Sequence, residues 1–140
     1  MEFKILDNID NEIMQLRRKT FVIEKNIPRE IEFDGKDAEF MHFCLYDNNE
    51  LIAYARVNVV EDKVHAGRVA VKREYRRKGL GALLFKYIEE YAVKECFKEI
   101  ELSAVETAVV FYEKIGFKTV GEYFIEAGWP HIYMTKKIAL

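Results

Sequence analysis

Residues 69–92 read VAVKREYRRKGLGALLFKYIEEYA: a short apolar run, a basic turn with two glycines, and a long amphipathic stretch. Leu80, Leu83, Leu84, Tyr87, Ile88 and Tyr91 recur at the spacing of one helical face, while Lys86, Glu89, Glu90 and Lys94 fall largely on the other. The spacing predicts a helix opening near Gly79. Upstream, the alternation through Arg68, Val69, Ala70, Val71 and Lys72 predicts a strand, so residues 73–78 must turn the chain between the two. A helix opening offers unpaired backbone N–H groups and the positive end of a dipole. Gly79 and Gly81 omit the side chains that would hold a ligand away from that backbone, and Arg76, Arg77 and Lys78 add cations beside it. The combination predicts a cradle for a diphosphate with a further phosphate nearby. Two common nucleotide patterns are excluded here. No G-x-x-x-x-G-K-[ST] stretch exists, and Leu84 stands where a dinucleotide fingerprint needs a third small residue.

Working outward, 140 residues suit a single domain, 1–140, that buries roughly two-thirds of its unfolded surface in one core. A composition half hydrophobic and one-third charged belongs to a globular protein. The net charge of -2 argues against nucleic acid as a partner, and the basic clusters at residues 17–19 and 72–78 are local, which favours a small phosphorylated ligand. The first cluster reads as an exposed helix face at Lys19. Cys44 and Cys96 are isolated, with no C-x-x-C or zinc spacing, so no metal is expected. The first ten residues lack a signal-peptide pattern and no run of about 18 apolar residues occurs, which predicts a cytoplasmic protein without a membrane partner.

In chain order, Phe3, Ile5 and Leu6 predict a first strand, and Asp7, Asn8 and Asp10 offer N-caps for a helix through about Ile23. Pro28 ends it, and residues 29–38 read as a polar loop over the sheet edge, bordering the substrate. Residues 39–46 and 51–60 are two extended runs around the turn Asp47, Asn48, Asn49, Glu50, and residues 64–71 are a third strand. Residues 99–103 predict a strand and 107–115 a helix stopped by Gly116. Residues 117–124 and 131–137 form a final antiparallel pair joined by a loop holding Gly128, Trp129 and Pro130. This order predicts an α/β (α+β) fold: a mixed, mostly antiparallel sheet of six to seven strands flanked by about four helices.

Arg76, Arg77, Lys78, Gly79, Leu80, Gly81 fit [QR]-x-x-G-x-[GA], and Phe111 to Phe117 read F-Y-E-K-I-G-F. Both segments, with the element order, resemble the GCN5-related N-acetyltransferases (GNAT) over nearly the whole chain. Phe21, Val22, Glu24, Pro28, Glu32, Asp34, Gly35, Asp37 and His42, with Gly128, Pro130, His131 and Met134, are similar to the ElaA/YjcF-like branch of bacterial N-acyltransferases. The chain departs from that branch at Lys25, where a glutamine is usual, at Val105, where an amide side chain is usual, and at Thr107, in place of a histidine.

The resemblance implies acetyl transfer from acetyl-CoA to a primary amine by direct attack through a tetrahedral intermediate. Val69, Ala70 and Val71 would hold the pantetheine arm, and residues Arg76, Arg77, Lys78, Gly79, Leu80, Gly81 and Ala82, with Phe111 and Lys114, would bind the rest of the cofactor. Tyr112 is the expected general acid. Glu24 and His42 are the leading candidates for the base, with Glu32 and His131 also available; Glu32, Asp34, Trp129 and His131 are expected at the acceptor, a small molecule or peptide amine. Relatives commonly form dimers, and an exposed final strand could pair with a second copy. The rival from another class is a non-catalytic acyl-CoA-binding module, which would keep residues 76–82 and lack a working acid and base.

Overall fold

The computed structural model describes residues 1–138. Seven strands form one sheet: β1 (Glu2–Leu6), β2 (Met41–Asp47), β3 (Glu50–Val60), β4 (Lys63–Val71), β5 (Glu99–Val105), β6 (Lys118–Glu126) and β7 (Trp129–Lys137), in the order β1-β2-β3-β4-β5-β7-β6. Every neighbouring pair is antiparallel except β4 with β5. The helices are α1 (Asn11–Arg17), α2 (Arg29–Glu32), α3 (Leu80–Lys94) and α4 (Val109–Lys114). Among the described residues, no helix is long and apolar enough to cross a membrane.

Strand alternation sorts the apolar residues onto two faces. Phe43, Leu45, Ala53, Ala55 and Val57 pack with Leu84, Phe85 and Ile88 of α3 and with Val109 and Tyr112 of α4. Cys44, Tyr46, Leu51 and Tyr54 pack on the opposite face with Ile13, Leu16, Phe21 and Ile27, the α1 side. Asp10 caps α1, its side chain accepting from Ile13 N–H at 3.0 Å.

Four local readings are corrected by the structure. The first helix is regular only to Arg17 and continues as a wider π-helical segment, Arg18–Ile23. Residues 29–38 are largely ordered by α2 and a 3-10 turn at Asp37–Glu39, because their carboxylates are tied to arginines of the core. Trp129 and Pro130 lie within β7, since Ala127 and Gly128, both at positive φ, make a two-residue hairpin closed by the Glu126–Trp129 pair. Pro130 is tolerated there because β5 first pairs with β7 at His131. The final strand is internal: β6 is the sheet edge, with Val120, Tyr123 and Ile125 exposed on it.

Candidate active site

A bulge in β4 builds the site. Tyr54 pairs with Ala70 but Arg56 pairs with Gly67, so Arg68 and Val69 together face one residue of β3, and Arg68 takes φ +52°. One extra residue reverses the side-chain parity. Ala66 packs on the α3 face, yet Ala70 packs on the α1 face, and Val69 and Val71 turn toward α3. Lys72 N–H donates to Ile52 C=O at 2.8 Å, so by the antiparallel alternation the main-chain groups of Val71 and Val69 face away from β3. They face no strand on the other side either. β4 and β5 pair only from Val64–Ile100 to Ala66–Leu102, and beyond that point they splay apart.

At the far end of this wedge is the start of α3. Its first internal bond runs from Leu83 N–H to Gly79 C=O at 3.1 Å, and no side chain caps the end. The N–H groups of Leu80, Gly81 and Ala82 therefore have no partner within the helix. Gly79 sits at φ +78°, and a Cβ built on it would meet nothing within 4 Å, so the backbone is open to a ligand there. Gly81 also meets an internal need. A Cβ on it would lie 2.9 Å from Phe111 Cζ, which makes its small size an internal packing requirement. Gly81→Ala is expected to destabilise the fold by about 1–3 kcal/mol through overpacking, more than the roughly 1 kcal/mol that alanine gains in a helix. Phe111→Leu in the same chain should restore the urea midpoint.

The basic residues divide their work. Arg77 and Lys78 are exposed beside the helix start. Arg76 instead folds back, with Nε on Val71 C=O at 2.8 Å and both terminal nitrogens on the Glu24 carboxylate at 2.8 Å each. That bidentate pair, first through its hydrogen bonds, holds the Glu24 carboxyl below the usual carboxylate range.

The opposite mouth of the wedge is a cleft of about 490 Å³, lined by Tyr112 and Val69, by Phe21, Lys25, Ile27 and Ile31 from the α1–α2 side, and by Glu126, Trp129 and His131 of the β6–β7 hairpin. Tyr112 is 6% exposed and is fixed edge-on by Phe85, Phe111 and Phe117, with ring centroids 5.0–5.7 Å away. Burial pushes its phenol well above the ordinary value, so it keeps its proton. His131 Nδ1 is 2.8 Å from Trp129 C=O, and because a carbonyl can only accept, Nδ1 carries the hydrogen. Nε2 lies 3.6 Å from Glu126 Oε2, a carboxylate oxygen that accepts from Ser103 Oγ at 3.3 Å. Trp129 Nε1 donates to Lys25 C=O at 3.0 Å and joins the hairpin to the end of the first helical segment.

Two of the residues expected as bases stand apart from this mouth. Glu24 is occupied by Arg76. His42 is fully buried between Tyr54 and Asp37; its Nε2–H donates to Asp37 C=O at 2.8 Å and its Nδ1 accepts from the Tyr54 hydroxyl, which commits both nitrogens. Asp34 forms an ion pair with Arg56 that, through the hydrogen bonds first, keeps its carboxyl far below the usual range. Glu32 does line the cleft, but as its floor. Arg17 Nε reaches Glu32 at 2.7 Å, Arg68 lies 3.1 Å from its other oxygen, and burial pushes the carboxyl up against both cations. Within the basic cluster at residues 17–19, Lys19 is exposed, while Arg17 is completely buried.

Residues 9–138 match the model of the acetyltransferase (GNAT) domain family. The chain belongs to the GNAT acetyltransferases. Over 131 residues it is 33% identical to ElaA of Escherichia coli, covering 90% of this chain and 86% of ElaA. Over 122 residues it is 31% identical to the uncharacterised N-acetyltransferase YjcF of Bacillus subtilis, covering 86% and 87%. A crystal structure of an acyl-CoA N-acyltransferase from Pseudomonas aeruginosa superposes with a TM-score of 0.83 at 27% identity, covering 97% of this chain and 99% of that one. Within this GNAT fold, Val105 lines the cleft and Thr107 is exposed on the turn before α4. Sequence reasoning passed over Glu126 and Arg68. Glu126 enters the cleft through the tightness of its hairpin, and Arg68 through a bulge that no motif marks.

Proposed function

We propose that the protein is an acetyl-CoA-dependent N-acetyltransferase acting on a primary amine that enters beside His131. The observation that carries this reading is the splayed edge of β4: Val69 lines the cleft that also holds Tyr112 and His131, and the same strand leads through residues 72–78 to the uncapped N-terminus of α3. The open backbone at Gly79 fits a phosphate, so residues Gly79, Leu80, Gly81 and Ala82, with Arg77 and Lys78, would hold the cofactor's diphosphate. Val69 and Val71 would hold the arm that leads to the thioester. When bound, acetyl-CoA supplies an acyl group activated by a good leaving thiol.

His131 Nε2 takes a proton from the amine nitrogen, and Glu126 favours the imidazolium that results. The Val69 N–H, on the free side of β4, meets the negative charge that develops on the carbonyl oxygen. Tyr112 gives its proton to the departing sulfur. The amine N–C bond forms first, giving the tetrahedral intermediate, and the C–S bond breaks as that intermediate collapses; Cys44 takes no part, since it is buried with its thiol pushed up to about 12 by burial.

Thermal unfolding with acetyl-CoA, CoA, ATP and NAD in parallel tests the cradle. A ligand at about 100 times its dissociation constant adds about 2.7 kcal/mol to stability. Stabilisation by the CoA compounds alone, lost in Gly79→Asp, is expected. Equal shifts with all four would point to general anion binding. For the base, His131→Gln should lower kcat about a hundredfold with the KM for acetyl-CoA unchanged; a mutant with wild-type kcat would remove His131 from the role.

A further inference from the structure

The cleft contains two cationic side chains, Arg68 and Lys25, and they differ in one respect. Arg68 is matched by Glu32 at 3.1 Å and Asp34 at 3.5 Å, within a cluster where Arg17, Arg56 and Arg68 face Glu32, Asp34 and Asp37. Three cations meet three carboxylates, so the floor of the cleft is neutral. Lys25 has no such partner. Among the described residues no carboxylate lies within 4.0 Å of its ammonium, although Glu24 is its neighbour in sequence, because Arg76 takes both Glu24 oxygens. The ammonium instead lies 5.5 Å from the centroid of the Phe21 ring, in the cleft wall.

The position is built. The Lys25 carbonyl accepts the Trp129 indole N–H, so the main chain that carries the ammonium is fastened to the hairpin that carries His131 and Glu126. The cleft thus has an unmatched cation on its helical wall and a carboxylate–imidazole pair on its hairpin wall. An ammonium substrate meets Glu126 and His131 favourably, and Lys25 would repel a second cation. Burial, and then repulsion by Arg76, pull the Lys25 pKa below the ordinary lysine value by more than the longer-range pull of Glu24 and Glu32 raises it, and a bound anion would offset the difference.

We infer that the acceptor is an amine that also carries an anionic group, a carboxylate or a phosphate, which Lys25 receives while the nitrogen faces His131. This rests on the acetyl-transfer reading for the nitrogen but not for the anion. Phe21, Ile27, Ile31 and Trp129 supply apolar walls between the two polar ends, which suits an amino acid with an apolar side chain better than a short polar amine.

The test compares L-phenylalanine with L-phenylalaninamide and phenethylamine, and O-phosphoethanolamine with ethanolamine, in wild type, Lys25→Met and Lys25→Arg. Methionine keeps the length of the side chain, and the main-chain carbonyl that holds Trp129 is retained in both variants. In wild type, kcat/KM for the better of the two anionic amines is expected to exceed that of its neutral counterpart tenfold or more, and which of the two wins separates carboxylate from phosphate. Lys25→Met should erase that preference through KM, leave the neutral amines within twofold, and leave the KM for acetyl-CoA unchanged; Lys25→Arg should restore most of it. Equal use of anionic and neutral amines, or a Lys25→Met defect confined to acetyl-CoA, would overturn the assignment. Thermal unfolding of the CoA complex with the same compounds separates the two claims. Lys25-dependent stabilisation by the anionic amines without thiol release would uphold the anion site and remove acetyl transfer, whereas brisk release with neutral amines alone would do the reverse.

Discussion

Replacing Tyr112 by Phe is expected to lower kcat about a hundredfold, roughly 2.7 kcal/mol of transition-state stabilisation, with the KM for acetyl-CoA nearly unchanged. The size follows from the location of the hydroxyl. The ring is clamped by Phe85, Phe111 and Phe117, so removing one oxygen leaves the packing intact and isolates the proton. Burial alone raises the phenol, and a group raised in this way stays protonated through the pH range in which an amine is nucleophilic. A thiolate leaving without that proton departs more slowly, and the defect should shrink when a thiol of lower pKa replaces CoA. Steady-state thiol release by mutant and wild type makes the comparison, and equal kcat values would remove Tyr112 from the chemistry.

The largest expected effect on stability is at Arg17. Its guanidinium is completely buried and donates to the Glu32 carboxylate at 2.7 Å, to Asp37 at 2.6 Å and to Glu32 C=O at 2.9 Å. Arg17→Met fills most of the volume but leaves Glu32, 2% exposed, and Asp37, 8% exposed, short of a cation. Breaking a buried pair in this way costs about 3–5 kcal/mol, because the stranded charge loses its partner without regaining water. Urea unfolding should show a lower midpoint at unchanged slope. Removing Glu32 as well, as Arg17→Met with Glu32→Met, should recover part of the loss. A single mutant within 1 kcal/mol of wild type would mean that Arg56 and Arg68 suffice to hold both carboxylates.

The parts of the fold that rest on periodicity were legible in the sequence. The α3 face, the hairpin at residues 47–50 and the order of strands and helices follow from apolar spacing and turn residues, and the helix opening at Gly79 follows from its glycines. The wedge was not legible, because a one-residue bulge at Arg68 leaves no compositional trace, and the reversal of parity it causes is visible only through the faces taken by Ala66 and Ala70. The clamp of three arginines and three carboxylates was equally hidden, since Arg17 and Asp34 are far apart in sequence and each alone reads as a surface charge. Residues of the cleft were named in part: Glu32, Trp129 and His131 line it, whereas Glu24 and His42 are held by Arg76 and by Tyr54 with Asp37. Side-chain chemistry marked them as candidates, and only their partners show which are free to move a proton.

Amine-dependent release of CoA thiol from acetyl-CoA, followed with the purified protein across the anionic and neutral amines named above, is the most direct measurement of acetyl transfer. Release that requires the amine, saturates with it and drops about a hundredfold in Tyr112→Phe is the predicted result. Tight binding of acetyl-CoA without release above buffer for any amine would contradict it, and would leave an acyl-CoA-binding module in place of an enzyme.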